Sequence, residues 1–306
     1  MKSSTLTSSI PQAEGLADIR RILCPTDFSE FSDMAFRYAL SIAQHYRGKL
    51  FVQHVVESWQ HPEAAFVPGH YYLEFQSRLL HKGEDEVQRF VKHHASNGIQ
   101  PEPVIEQGIA ADSILALAEA QKVDLIVMGT HGRRGFDRLM VGSVTERVLR
   151  KAACPVLAVH KPSHDFLSSR DQDPSHLNRI LFCTDFSENS LRALSHALSL
   201  TAEYNAELTL LHVLKDGGSS IDEAAAMEHL DNLIPPEKLK AGRIRSRSVV
   251  RRGSAYEQII QLALEAQTDV VIMAVRGHGA LNAAVFGSTT YRVIQLGPCP
   301  VLAVHF

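Results

Sequence analysis

Two stretches of this chain are each written twice. Residues 21–29 read RILCPTDFS and residues 179–187 read RILFCTDFS, while residues 154–160 and 299–305 both read CPVLAVH. Self-similarity at two separate landmarks marks a tandem duplication, so the chain must fold as two copies of one unit. Asp27 to Asp185 and His54 to His212 are both 158 residues apart, whereas Gly108 to Gly253, Gly142 to Gly287 and Cys154 to Cys299 are each 145 apart. The first copy therefore carries 158 − 145 = 13 extra residues between His54 and Gly108, with the aromatic stretch Trp59–Tyr72 as their expected place.

The 306 residues suit two domains of about 150. In the first copy, Ile22-Leu23-Cys24 reads as a strand ending at Pro25-Thr26-Asp27. Ser29 can cap a helix closed by Gly48, and Lys49–Val56 reads as the second strand. A long polar helix from about Tyr72 to Ser96 follows, then a strand at Pro103–Gln107 and a helix from Asp112. The apolar strand Asp124–Gly129 leads through a glycine-rich loop into a helix at Ser143–Lys151 and a last strand at Pro155–Val159. This alternation predicts an α/β fold of two tandem five-stranded, mostly parallel sheets with helices on both faces. The second copy repeats the order, with a shorter second helical region that contains Pro235-Pro236 and is expected to be broken or truncated. The expected boundaries are a flexible tail at 1–18, domains at 19–161 and 178–306, and a linker at 162–177.

The composition narrows the function. A net charge of −3 gives no basic footprint for nucleic acid. No apolar run is long enough to span a membrane, and the polar start lacks the apolar core of a signal peptide. Four cysteines without a C-x-x-C pair read as inert buried thiols in a reducing, cytoplasmic compartment. The sixteen histidines include no H-x3-H or H-E-x-x-H pair, so no metal site is expected from them. His54 and His212 read as satisfied core histidines, and His160 and His305 as surface or copy-to-copy contacts.

Ligands of open parallel sheets bind beyond the C-terminal strand ends, where strand order reverses. Thr26-Asp27 and the loop from Gly129 to Thr145 would meet there. Free N–H groups running into a helix N-terminus form a phosphate cradle, and Ser143 and Thr145 would add hydroxyls. Asp27 and Asp185 could instead serve only the helix that follows each. Gly129, two residues, Gly132, nine residues, Gly142-Ser143 is the sharper signal.

With the strand-end aspartate and the closing Cys-Pro-Val-Leu strand, this pattern resembles the universal stress protein family over nearly the whole chain beyond residue 18, twice over. The resemblance implies a fold like that of the adenine nucleotide alpha hydrolases, binding of ATP with Mg, and dimers formed through the last strand. It assigns Pro25, Thr26 and Asp27 to the ribose and base wall and the Val55 backbone to the adenine edge. It gives Gly129 and Gly132 close passage by the ligand, and the phosphates to Arg133, Gly142, Ser143, Val144 and Thr145. In the second copy the same positions are Asp185, Val213, Gly277, Gly287, Ser288 and Thr289. There Ala274 replaces the first glycine, with a methyl expected either to crowd the ribose or to force a different φ.

No G-x4-G-K-[ST] motif supplies a phosphate-bridging lysine, so at most slow hydrolysis is expected. The leading reading is a nucleotide-dependent stress-response regulator. The alternatives are a nucleotide-free interaction scaffold and a slow ATPase or nucleotide transferase. The near-identical strands 155–160 and 300–305 should pair across an approximate two-fold as an intramolecular pseudo-dimer, leaving a further homodimer open.

Overall fold

The computed structural model describes residues 16, 18–57, 71–94, 98–132, 140–160, 177–217, 219–237, 244–276 and 287–305. The first copy runs β1 (Arg21–Pro25), α1 (Glu30–Tyr46), β2 (Lys49–Val56), α2 (Tyr72–His94), β3 (Glu102–Gln107), α3 (Ala110–Ala120), β4 (Leu125–Gly129), α4 (Ser143–Lys151) and β5 (Val156–Val159). The second runs β6 (Arg179–Cys183), α5 (Glu188–Tyr204), β7 (Glu207–Leu214), α6 (Ser220–Asp231), β8 (Arg245–Arg252), α7 (Ala255–Glu265), β9 (Val270–Ala274), α8 (Ser288–Leu296) and β10 (Val301–Val304).

The two five-stranded halves join into a single ten-stranded sheet, ordered β3-β2-β1-β4-β5-β10-β9-β6-β7-β8. All pairings are parallel except β5 with β10. That antiparallel pair is the expected contact between the repeated CPVLAVH strands. It covers what would be an open edge on each half. Two apolar layers, one on each face, both draw on residues of both copies. Alternation of side chains along β5 explains this: Leu157 and Val159 face one layer, Val156 and Ala158 the other.

The seam is reinforced on both faces. The His45 ring stacks on Tyr204 at 4.3 Å, and His45 Nε2 lies 2.9 Å from Glu203 Oε1. On the other side, His160 Nε2 donates to the Gly297 carbonyl, and His305 Nε2 donates to the Leu149 carbonyl at 2.6 Å. Each imidazole thus serves a carbonyl in the last turn of the opposite copy's final helix or just beyond it, where acceptors lack intrahelical donors.

Local expectations meet several corrections. Ser29 caps α1 as expected, and Ser187 caps α5 in the same way. The left-handed residue ending α1 is Arg47 (φ 52), however, and not Gly48. Gly48 is needed for space, since a Cβ there would lie 2.8 Å from the Ile19 carbonyl. Leu16 is 6% exposed and packs in the layer that spans the seam. The shortened helix is α6, 12 residues against 23 in α2, with a capping box between Ser219 and Asp222. Trp59–His70, Arg133, Gly277 and the linker residues 162–176 lie outside the described residues.

Candidate nucleotide site

Parallel order reverses direction between β1 and β4, so the loops after these strands diverge and leave a crevice. The turn after β1 is built the same way in both copies. Thr26 Oγ1 accepts from Phe28 N at 3.0 Å and donates to Ser32 Oγ at 3.1 Å. Asp27 Oδ1 accepts from Ser29 N at 3.1 Å. These bonds hold Phe28 at φ 62, and Phe186 sits at φ 61 in the equivalent turn. A left-handed phenylalanine costs about 1 kcal/mol or more, offset here by ring packing on His54 at 4.5 Å and on His212 at 4.4 Å. The repeated letters TDFS carried this signal, but sequence reasoning did not extract the strained turn from them.

The turn after β4 is held by two bonds. Gly142 N donates to the Thr130 carbonyl at 2.7 Å, and Thr145 Oγ1 donates to the Gly129 carbonyl at 2.8 Å. The Thr145 hydroxyl proton is therefore spent on fastening α4 to β4 and is unavailable to a ligand. Thr290 makes the same bond to the Ala274 carbonyl at 2.9 Å. No side chain caps α4, whose N-cap is Gly142. Its first-turn N–H groups, on Ser143, Val144 and Thr145, thus lack intrahelical acceptors.

Between these turns lies a cleft of about 700 Å³, within the usual range for small-molecule sites. It brings together Pro25, Thr26, Asp27, Val55, Gly129, Gly132, Gly142, Ser143, Val144 and Thr145. Two of these glycines stand at close approaches of different kinds. A Cβ at Gly132 would lie 2.7 Å from Asp27 Oδ2, so Gly132 lets the β4 loop close on the aspartate. A Cβ at Gly129 would lie 2.9 Å from the Phe31 backbone, so that glycine lets α1 approach β4.

The second point bears on Ala274, whose side chain belongs to the apolar layer beneath α5. Asp185 serves its own turn. Its Oδ1 accepts from both Ser187 N at 3.1 Å and Ser187 Oγ at 2.6 Å. Gly287, the N-cap of α8, repeats the Gly142 bond by donating to Val275 O at 3.0 Å, and Ser288 and Thr289 open that helix. Val213 is half-buried on β7.

Sequence reasoning also missed the flank contributed by α2 and β2. Gln53, Lys82 and Glu86 line the cleft. His54 Nδ1 donates to the Thr26 carbonyl at 2.8 Å, and His212 repeats this with Thr184 at 2.9 Å, so both are satisfied as expected. His131 borders the cleft, and burial lowers its pKa. The buried thiols Cys24, Cys183 and Cys299 are pushed up by burial, as is the half-buried Cys154, to about 12.

The family model described as Universal stress protein family matches residues 18–160 and again residues 176–305. The chain belongs to the universal stress protein family. About half of this chain is similar to a universal stress protein of Methanocaldococcus jannaschii, 36% identical over 168 residues, covering 54% of this chain and 95% of that protein. A universal stress protein of Mycolicibacterium smegmatis is similar over both halves, 26% identical across 93% of this chain and 96% of its own length. The crystal structure of a universal stress protein from Archaeoglobus fulgidus shares the fold, with TM-score 0.68, 24% identity, and coverage of 93% of this chain and 97% of that one. Among the described residues, no helix is long and apolar enough to cross a membrane.

Proposed function

We propose that this universal stress protein binds ATP in the copy-one cleft and acts as a cytoplasmic, nucleotide-dependent regulator of the stress response. The observation that carries this reading is the pairing of an uncapped helix N-terminus at Gly142-Ser143 with a strand-end carboxylate, Asp27, across one cleft. Phosphates suit the first, through unpaired N–H groups and the helix dipole. Ribose hydroxyls suit the second as donors to a carboxylate. Arg133, in the same loop, is proposed as a further phosphate partner.

No cluster of three metal-ligating side chains occurs among the described residues, so Mg is proposed to enter on the phosphates of ATP. The cleft lacks a P-loop lysine, which favours binding and conformational signalling over rapid turnover. Domains 19–161 and 178–306, joined by 162–177, are the proposed functional units, with self-association of two chains as a further proposal. Mass spectrometry of the nucleotide released by denaturing freshly purified protein tests the reading. ATP or ADP near one equivalent per chain supports it, and protein that neither carries nor takes up nucleotide overturns it.

A further inference from the structure

Gln53 lies on β2, opposite Pro25 of β1, and is 1% exposed while lining the cleft. Its Nε2 donates to Glu106 Oε2 at 3.0 Å and to the Ser113 carbonyl at 3.2 Å. Both partners only accept, so the amide orientation is determined: the NH2 must face them and the carbonyl must point away. That carbonyl oxygen, Oε1, is buried without a hydrogen-bond partner. A buried acceptor left this way calls for a donor.

The second copy shows that the strand does not require this residue. Leu211 stands at the equivalent place, opposite Cys183 of β6. The backbone bond is the same in both, Thr26 N to Gln53 O at 2.8 Å and Thr184 N to Leu211 O at 3.0 Å. The partner carboxylate is also replaced: Glu106 corresponds to Arg251 (106 + 145), which pairs with Glu265. The first copy thus places an oriented amide where the second makes do with a hydrocarbon.

Location identifies the donor. The phosphate cradle stands after β4, and β2 is two strands away in the sheet order, about 10 Å at the usual strand spacing. A nucleotide with its phosphates on α4 would bring its base, not its phosphates, to β2.

We propose that Gln53 selects the base of the bound nucleotide, its side-chain carbonyl accepting from an exocyclic amino group, so that copy one takes adenine over a purine with oxygen at that position. This rests on the nucleotide reading above. It makes copy two, with Leu211, indifferent to that substituent.

The test compares affinities of ATP and inosine triphosphate, which carries a carbonyl oxygen in place of the amino group and an N1–H donor in place of the N1 acceptor. Wild type and Gln53→Leu are both measured, and Gly142→Asp reports what copy two contributes alone. Wild type should prefer ATP by about tenfold, the effect of one buried hydrogen bond. Gln53→Leu should narrow this preference severalfold, by weakening ATP and by relieving the opposition between the inosine carbonyl and Gln53 Oε1. An unchanged preference in Gln53→Leu, or no preference in a wild type that binds both, overturns the role of Gln53 while leaving nucleotide binding intact. Binding of neither overturns the nucleotide reading and this inference with it. Should Gln53→Leu not fold, Gln53→Met and N6,N6-dimethyl-ATP on wild type, which removes the donor from the ligand, ask the same question; full affinity for the dimethylated nucleotide overturns the proposal.

Discussion

Leu157 of β5 faces Leu302 of β10 directly across the antiparallel seam, and the two are the same residue of their copies, 145 positions apart. Their neighbours obey the same exchange, Ala158 opposite Val301 and Val156 opposite Ala303. The pseudo-two-fold axis therefore passes through this leucine pair. It relates Tyr46 to Tyr204 in the same way, and their rings meet at 6.3 Å.

Because both apolar layers cross this axis, the two halves should unfold together. Leu302, 2% exposed, is expected to cost about 3 kcal/mol when replaced by alanine, and more as Leu302→Asp, which would bury a charge. Urea denaturation followed by near- and far-ultraviolet circular dichroism should give one coincident transition, shifted to lower urea in the variants. Two separate transitions in the wild type would show that the copies fold independently.

Stability should fall on mild acidification. Burial holds His160, His196 and His305 below the ordinary imidazole value, His196 at about 4. His131 faces His160 and Arg276 faces His305, and both add to the lowering. The unfolded chain takes up these protons near pH ~6.5, so the stabilisation is complete above that pH and is lost as pH falls towards 4. His196 alone contributes on the order of 3 kcal/mol across this window. Denaturation midpoints at pH 7.5 and pH 5 should differ less in His196→Leu than in the wild type. Equal differences would remove His196 from the account.

Thr145→Val keeps the side-chain shape and deletes the bond to the Gly129 carbonyl. Thermal denaturation should show a loss of about 1 kcal/mol, with a similar loss for Thr290→Val. ATP affinity should fall only in Thr145→Val, since that latch sets the approach of α4 to the copy-one cleft. Equal ATP affinity in Thr145→Val and wild type would mean that α4 is placed by other contacts.

The four thiols should resist an aromatic disulfide reagent in the native protein and react together on unfolding. Burial holds all of them protonated at neutral pH. Rapid reaction of any one thiol in the native state would contradict this environment.

The fold was legible because its signals are redundant. The strands are apolar runs, Ser29 and Ser187 announce their helices, and every element appears twice. The seam was legible from one identical heptapeptide, since a two-fold contact uses one surface twice. The lining of the cleft was legible where glycines mark close approaches, as at Gly132 beside Asp27. It was misread where space and conformation look alike in letters. Gly129 and Ala274 both answer to the packing of the helix above them, and Arg47 takes the left-handed turn assigned to Gly48. Gln53 escaped notice because an alternating strand gives no sign of which polar residue faces a ligand.

Calorimetric titration of ATP with Mg into the wild type and Gly142→Asp tests the central claim most directly. A Cβ at Gly142 would already lie 3.3 Å from the Thr130 carbonyl, and the aspartate adds a charge at the α4 N-terminus. Saturable binding in the wild type, with the copy-one equivalent lost in a folded Gly142→Asp, is the expected result. The same stoichiometry and affinity in both proteins would place the nucleotide elsewhere and contradict the account.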